Sequence, residues 1–164
     1  MVTKAFQECL IDVYRGEVTG EAAFESMLGG ADGVQETYVV GSLLQLETEG
    51  KAIIRPLLMR FGLSLIDPEG RAAGAAGGEQ LGSLPWVERF VALRDLVQAT
   101  YLPRYLELAT LVSPQDDHEA ARIAAFMGTH ERAVLEVAEN IIAGHPDPVA
   151  PVAALLRFPL PRGV

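Results

Sequence analysis

Apolar residues recur three and four positions apart along most of this chain, a spacing that places them on one face of an α-helix. Four long segments show the pattern, and we predict helices over residues 5–28, 35–61, 83–112 and 113–144. The first follows a candidate N-cap, Thr3. The fourth begins with Ser113 as the candidate N-cap and Pro114 at the first helical position. The pattern therefore predicts an all-α protein.

The lengths of the connections predict how the helices are arranged. A short turn, GGADG, joins the first two segments, and almost nothing separates the last two, so each pair is expected to be an antiparallel hairpin. Residues 63–82 are rich in Gly and Ala and have no strong apolar period, and their length suits a crossover along the side of a bundle. We predict an antiparallel four-helix bundle with a long crossover between helices 2 and 3.

The bundle is assigned to residues 1–143 and a proline-rich C-terminal strap to residues 144–164. We expect the strap to pack on the bundle through Val152, Leu155, Leu156 and Phe158. Pro56 and Pro103 fall inside the second and third segments. Each is expected to bend its helix, because proline lacks the N–H that a helix needs.

Charge and composition narrow the classes of partner. The 164 residues include 13 Lys plus Arg against 22 Asp plus Glu, and the net charge of −9 argues against nucleic acid and anionic membrane surfaces. No stretch approaches the ~20 apolar residues of a membrane span, and acidic residues stand where a signal peptide would be apolar. The single cysteine, Cys9, cannot form an internal disulfide, so we expect a cytoplasmic protein. A mean hydropathy of +0.21 predicts a homodimer.

Ionisable residues interrupt the apolar stripes of the predicted helices. Glu47 lies in the stripe of the second segment, and His130 lies in that of the fourth with Glu131 beside it. In the first segment Glu17 and Glu21 are inward candidates, and in the third Glu107 is placed near an inward face. An unpaired buried carboxylate costs several kcal/mol, so something must compensate this set.

Three kinds of compensation are open at this stage. Divalent metal ions bound by carboxylates and imidazole from facing helices would neutralise the set. Alternatively, Glu47 and His130 form a buried hydrogen-bonded network in a non-catalytic bundle that binds a partner or a small ligand. A third alternative, a purely structural subunit, needs Glu47 to point outward and pair with Lys51, four residues later.

Small and aromatic residues give weaker signals. Gly16 and Gly20 lie four apart in the first helix, and we expect them to allow a close helix contact rather than to make room for a ligand. Tyr101 and Tyr105 flank Pro103 at helical spacing and are expected to be core residues.

The helix order, together with the segments YRGEVTGEAAF, LLQLETEGK and THERAVLEVAE, resembles the ferritin-like superfamily over about residues 5–143. In its metal-binding members, the first and third helices each supply a Glu, and the second and fourth each supply an ExxH pair. The resemblance implies Glu21, or else Glu17, as the ligand on the first helix. It implies Glu47, Glu107 and Glu131 as the ligands on the following three.

Both histidines of the ExxH pattern are missing from this chain. Gly50 and Val134 stand where the resemblance would place them, and the remaining core histidine, His130, precedes its Glu. The resemblance implies iron or manganese and an oxidoreductase using dioxygen or peroxide, while the missing ligands make a protein without metal equally plausible. The predicted metal ligands are Glu21, Glu47, Glu107, His130 and Glu131.

Overall fold

A computed structural model describes residues 2–162, and these residues form helices and connections without a β-strand. The long helices are α1 (Lys4–Leu28), α2 (Gly33–Arg60), α3 (Pro68–Gly82), α4 (Trp86–Leu96), α5 (Leu102–Thr110) and α6 (His118–Ile142). A short helix, α7 (Ala150–Ala153), follows. The prediction of an all-α protein is confirmed.

The helix starts depend on which side chain caps the first turn. Thr3 caps α1 as predicted, because its hydroxyl accepts the backbone N–H of Phe6 at 3.2 Å. The predicted start of the last long helix at Ser113 is wrong. Residues 114–116 form a turn, and the helix begins at His118, where the Asp117 carboxylate accepts the backbone N–H of Ala120 at 3.0 Å.

The predicted crossover contains a helix, α3, that the apolar pattern does not reveal. Glycines recur every four residues along α3, and Gly74 and Gly78 lie directly on the backbone of Thr19 and Ala23 in α1. A Cβ at either glycine would overlap the carbonyl oxygen of the facing residue. Backbone contact thus replaces large apolar side chains on this face, which explains the missing hydrophobic period.

The third predicted helix is interrupted before Pro103. A π-helical turn, Val97–Tyr101, joins α4 to α5, and the N–H of Leu102 bonds the carbonyl of Val97, five residues back. The extra residue in this turn rotates α5 relative to a continuous α-helix. Pro56, in contrast, lies inside α2, whose helix continues to Arg60.

Long-range contacts give the directions of the helices. Glu21 in α1 pairs with Lys51 in α2, whereas residues near the start of α1 pack on the end of α2, so the two helices are antiparallel. On the next pair, Arg60 at the end of α2 pairs with Asp117 at the start of α6, and Leu46 lies beside His130. Helices α2 and α6 are therefore antiparallel as well.

The hydrophobic core consists of two clusters, one toward each end of the long helices. One contains Phe24, Leu43, Phe90, Val137 and Val152, and the other contains Phe6, Leu10, Ile54, Leu108 and Met127. Glu47 on α2 and His130 and Glu131 on α6 lie between the members of these two clusters, and Glu17 on α1 lies at the end of the second cluster, beside Val18. The site described below therefore occupies the middle of the molecule.

The C-terminal segment packs on the core through Val149, Val152 and Leu156, which are buried. The Glu49 carboxylate accepts the backbone N–H groups of Arg157 and Phe158, at 2.7 and 2.9 Å. Phe158 was expected to pack inward, but its side chain is 67% exposed.

Residue 1 of the predicted bundle and residues 163–164 of the predicted strap lie outside the described residues. Within residues 2–162, no helix combines the length and apolar character needed to span a membrane.

Candidate metal centre

Four helices each bring buried polar side chains to one place between the two apolar clusters. We define the central cluster as Glu17 from α1, Glu47 from α2, Tyr105 from α5, and His130 and Glu131 from α6. Each of the five is at least 96% buried, since none exceeds 4% exposure. Three carboxylates and one imidazole therefore share an interior where an isolated charge costs several kcal/mol.

His130 lies at the centre of the contacts. Its Nε2 is 3.2 Å from Glu17 Oε2 and 3.4 Å from the carbonyl oxygen of Leu46. Its Nδ1 is 3.8 Å from Glu131 Oε2, which is beyond hydrogen-bond distance. The Tyr105 hydroxyl donates to Glu17 Oε1 at 2.7 Å and so holds that carboxylate in place.

Two buried atoms in this cluster have no hydrogen-bond partner, Glu17 Oε2 and His130 Nδ1. Leaving such an atom unsatisfied costs about 1–3 kcal/mol, and more for a charged group. Both atoms belong to side chains that can ligate a metal, but they lie at different sides of the imidazole ring, Glu17 Oε2 next to Nε2 and Nδ1 toward Glu131. A cation bound by Glu17, His130 and Glu131 would give the Glu17 carboxylate a partner.

Three glycines make room for the cluster. A Cβ at Gly50 would overlap the Glu17 carboxylate and approach His130 Nε2 to 3.0 Å. A Cβ at Gly20 would lie 2.8 Å from Glu47 Oε2, and one at Gly16 would lie 2.5 Å from the Tyr105 hydroxyl. The close contacts at Gly16 and Gly20 are made by the polar side chains of Tyr105 and Glu47 on neighbouring helices rather than by another backbone.

Burial dominates the electrostatics of the cluster. It raises the pKa of Glu17 to about 7, although His130 and the Tyr105 hydrogen bond act in the opposite direction. Burial and the neighbouring carboxylates raise the pKa of Glu47 well above its ordinary value. For His130, burial alone would lower the pKa, but the adjacent Glu17 and Glu131 carboxylates raise it above the usual value. Without a bound cation, the cluster holds protons.

A cavity of about 670 Å³ adjoins the central cluster. Glu47, Tyr101, Tyr105 and Glu131 line one side of it, and small residues of α1 and α3 together with leucines of α4 line the rest. This volume falls within the range of ligand pockets, about 300–1,000 Å³. A small molecule in the cavity would contact the outer edge of the cluster.

No family model, curated protein or solved structure matches this chain. Function must therefore be argued from the geometry of the site, and the ferritin-like resemblance stays a prediction.

Of the five predicted ligands, Glu47, His130 and Glu131 lie in the central cluster. Glu21 and Glu107 do not. Glu21 sits at the edge of the cluster, where it pairs with Lys51 and accepts a hydrogen bond from Thr48 at 2.8 Å.

Burial alone would raise the pKa of Glu21, but the hydrogen bonds from Lys51 and Thr48 lower it below the ordinary value. Because Lys51 pairs with Glu21 and Glu47 is buried, the arrangement required of a purely structural subunit is wrong. Glu107 lies at the surface, where its side chain is 47% exposed and pairs with Arg104 at 2.6 Å.

Glu17 takes the place that the resemblance gave first to Glu21. The apolar stripe of α1 passes through Glu17, so the sequence contained this signal, and Gly50 opposite it provides the space. Tyr105 is a core residue as expected, but its hydroxyl also belongs to the polar cluster. The spacing of apolar residues in the sequence does not distinguish a tyrosine whose hydroxyl joins a polar cluster from one that only packs in the core.

Glu17, His130 and Glu131 each offer one ligand atom, and these atoms lie within 4.8 Å of one another. With metal–ligand bonds of about 2.1 Å, ligands on opposite sides of an ion are about 4.2 Å apart, so a small convergence of the side chains completes the contact. One imidazole with carboxylates suits manganese and iron, whereas no thiolate stands near to favour softer metals. The residues present therefore fit a single divalent ion.

Proposed function

We propose that this protein is a metal-dependent helical-bundle protein that binds one divalent ion, iron or manganese, at Glu17, His130 and Glu131. The observation that carries the proposal is the convergence of ligand atoms from Glu17, His130 and Glu131, all buried and within 4.8 Å of one another, with Glu17 Oε2 lacking a hydrogen-bond partner. A bound divalent ion would give Glu17 Oε2 a partner and offset two of the three carboxylate charges of the cluster.

The helix order supports a ferritin-like arrangement as part of this proposal. Helices α1 and α2 are antiparallel, α3 runs along α1 in the same direction, and α4–α5 and α6 complete the set around the cluster. In this arrangement α3 is the long crossover. The four helices that surround the cluster are those from which ligands of a bundle metal site project inward.

A single ion fits the residues better than a pair. Gly50 and Val134 replace the two ExxH histidines, and Glu107 points to the surface. The remaining set has three carboxylates and one imidazole, whereas a di-metal bundle site uses four Glu and two His. In this scheme Tyr105 positions the Glu17 carboxylate, and Glu47 is a further buried carboxyl group of the cluster.

Iron or manganese in such a site supplies redox chemistry with dioxygen or peroxide, so we propose an oxidoreductase. The chain itself holds the ion and excludes bulk water from it, because Glu17 and His130 are fully buried. The adjacent cavity gives a substrate access to the edge of the cluster. The predicted homodimer remains part of the proposal, and a measured mass in solution tests it.

Metal analysis of chelator-treated protein reloaded with Mn²⁺ or Fe²⁺ tests the proposal. We expect one ion per chain in the unmodified protein and loss of the ion in Glu17→Gln and His130→Gln. Glu107→Gln is the matched control, since it removes an exposed carboxylate outside the cluster, and it should load normally. Circular dichroism establishes that each variant is folded. Failure to load any ion, or equal loading of all variants, would leave the buried hydrogen-bonded network without metal as the better account.

A further inference from the structure

We propose that the cavity beside the central cluster binds a small apolar amine, with the ammonium group at Glu47 and the apolar body between α1, α3 and α4. This inference names a ligand for a site that the metal proposal leaves without one. It rests on the composition of the cavity wall, on the charges that line it and on the absence of a cation for Glu47.

The wall of the cavity is apolar and made largely of small residues. Its small residues are Gly16, Gly20, Ala23, Ala73, Gly74, Gly77 and Ala92. Larger apolar side chains, among them Leu84, Leu93 and Leu96, come from α4 and the turn before it. At Gly77 an added Cβ would meet no atom within 4 Å, so the space in front of this residue is open. An apolar body a few carbon atoms wide fits between these helices.

The charges lining the cavity all have one sign. Glu47 and Glu131 are its only charged lining residues among residues 2–162, and no lysine or arginine contributes to the wall. A carboxylate or phosphate ligand would therefore meet repulsion without compensation. An ammonium group would meet two carboxylates, together with the Tyr101 and Tyr105 rings that also line this side.

Glu47 is the member of this pair that lacks a cation. It is 96% buried, and in the described part of the chain no basic side chain forms an ion pair with it. Lys51, the nearest basic residue along α2, is committed to Glu21. A buried carboxylate at the end of an apolar cavity is the chemistry that recognises an ammonium group.

The inference holds whether or not a metal is bound. Glu47 lies outside the group formed by Glu17, His130 and Glu131. A divalent ion would leave one of the three carboxylate charges of the cluster uncompensated, and an ammonium group would neutralise it. Without the ion, an ammonium group bound beside Glu47 would stabilise the ionised form of that carboxylate.

Calorimetric titration with three eight-carbon probes, n-octylamine, n-octanol and n-octanoate, tests the ligand class. We expect octylamine to bind most tightly and octanoate to bind at least about tenfold more weakly, as loss of a charge-assisted interaction predicts. Glu47→Gln should weaken octylamine binding by about 10- to 100-fold and change octanol binding by less than about threefold. Equal binding of octanoate and octylamine, or unchanged amine binding in Glu47→Gln, would overturn the proposal.

A second pair of variants locates the ligand. Gly77→Leu should fill the cavity and abolish binding of octylamine, while Ala76→Leu adds a side chain on the exposed face of the same helix and should leave binding unchanged. Equal binding by the two variants would place the amine elsewhere and overturn the proposal. Both replace a residue of α3 by a better or comparable helix former, so both should fold.

The same titrations on chelator-treated and Mn²⁺-treated protein separate this inference from the metal proposal. Octylamine binding that persists in protein unable to retain Mn²⁺ supports the amine site and refutes only the metal site. Retention of Mn²⁺ with no binding of octylamine in either form refutes the amine site alone.

Discussion

Raising the pH is expected to destabilise the metal-free protein, and Glu17 is the residue that tests the reason. The pKa of Glu17 rises from 4.5 to about 7 on folding, mainly because the side chain is fully buried. The native state therefore binds a proton that the unfolded state releases between these two pH values. This contribution is fully present below pH 4.5 and is lost as the pH rises to about 7.

The size of the effect follows from the shift. At 1.36 kcal/mol per pKa unit, the change from 4.5 to about 7 corresponds to about 3 kcal/mol of unfolding free energy. The pKa values of Glu47 and His130 are also raised, so both groups act in the same direction and add to the loss. A domain with a total stability of about 5–15 kcal/mol loses a measurable fraction of it.

Urea unfolding followed by circular dichroism, in the presence of a chelator and at several pH values from 4.5 to 8, measures this dependence. Glu17→Gln keeps the shape of the side chain but cannot titrate. Between pH 4.5 and 8, the unfolding free energy of this variant should therefore fall by about 3 kcal/mol less than that of the unmodified protein. Glu107→Gln, at the surface, should follow the unmodified protein. The reasoning is refuted if Glu17→Gln has the same pH dependence as the unmodified protein, or if the metal-free protein becomes more stable over this range.

Three further predictions concern the glycines and the C-terminal segment. Gly50→Ala should lower the unfolding free energy by about 1–3 kcal/mol because its Cβ overlaps the cluster, whereas Gly77→Ala, in open space, should raise it by up to about 1 kcal/mol. Gly74→Ala should cost a similar 1–3 kcal/mol in the same urea assay by forcing α3 away from α1, and an unchanged midpoint would contradict the backbone contact. Glu49→Ala should release the C-terminal segment and speed tryptic cleavage at Arg157, and an unchanged cleavage rate would show that the carboxylate does not hold it.

The helices with large apolar side chains on one face were predictable from the sequence, but α3 was not. Its contact with α1 is made by Gly74 and Gly78 against backbone atoms, so no hydrophobic residue marks the buried face. The start of α6 was missed for a local reason. The predicted cap is Ser113, but Asp117, four residues later, accepts the hydrogen bond that begins the helix.

The π-helical turn explains why Glu107 was misplaced. The sequence predicts one continuous helix over residues 83–112, in which Glu107 lies near an inward face. The turn inserts one extra residue, so the inward positions shift by one to Tyr105 and Leu108, which are buried. A polar hydroxyl thus occupies the position where a carboxylate was expected.

Glu47, His130 and Glu131 were found from the sequence because each interrupts or borders an apolar stripe on a helix that is regular in the structure. The choice between Glu17 and Glu21 required the facing helix. Gly50 leaves space for the Glu17 side chain, while Lys51, the next residue, forms an ion pair with Glu21 at the edge of the central cluster. Such pairings across helices depend on register, which periodicity in one segment does not determine.

The most direct test of the proposed metal site is an anomalous difference map from crystals of the Mn²⁺-loaded protein, recorded near the manganese absorption edge. The account predicts one peak per chain between α1 and α6, within about 2.2 Å of Glu17, His130 and Glu131. A map with no peak at this position, or with manganese only at surface carboxylates such as Glu107, would contradict it.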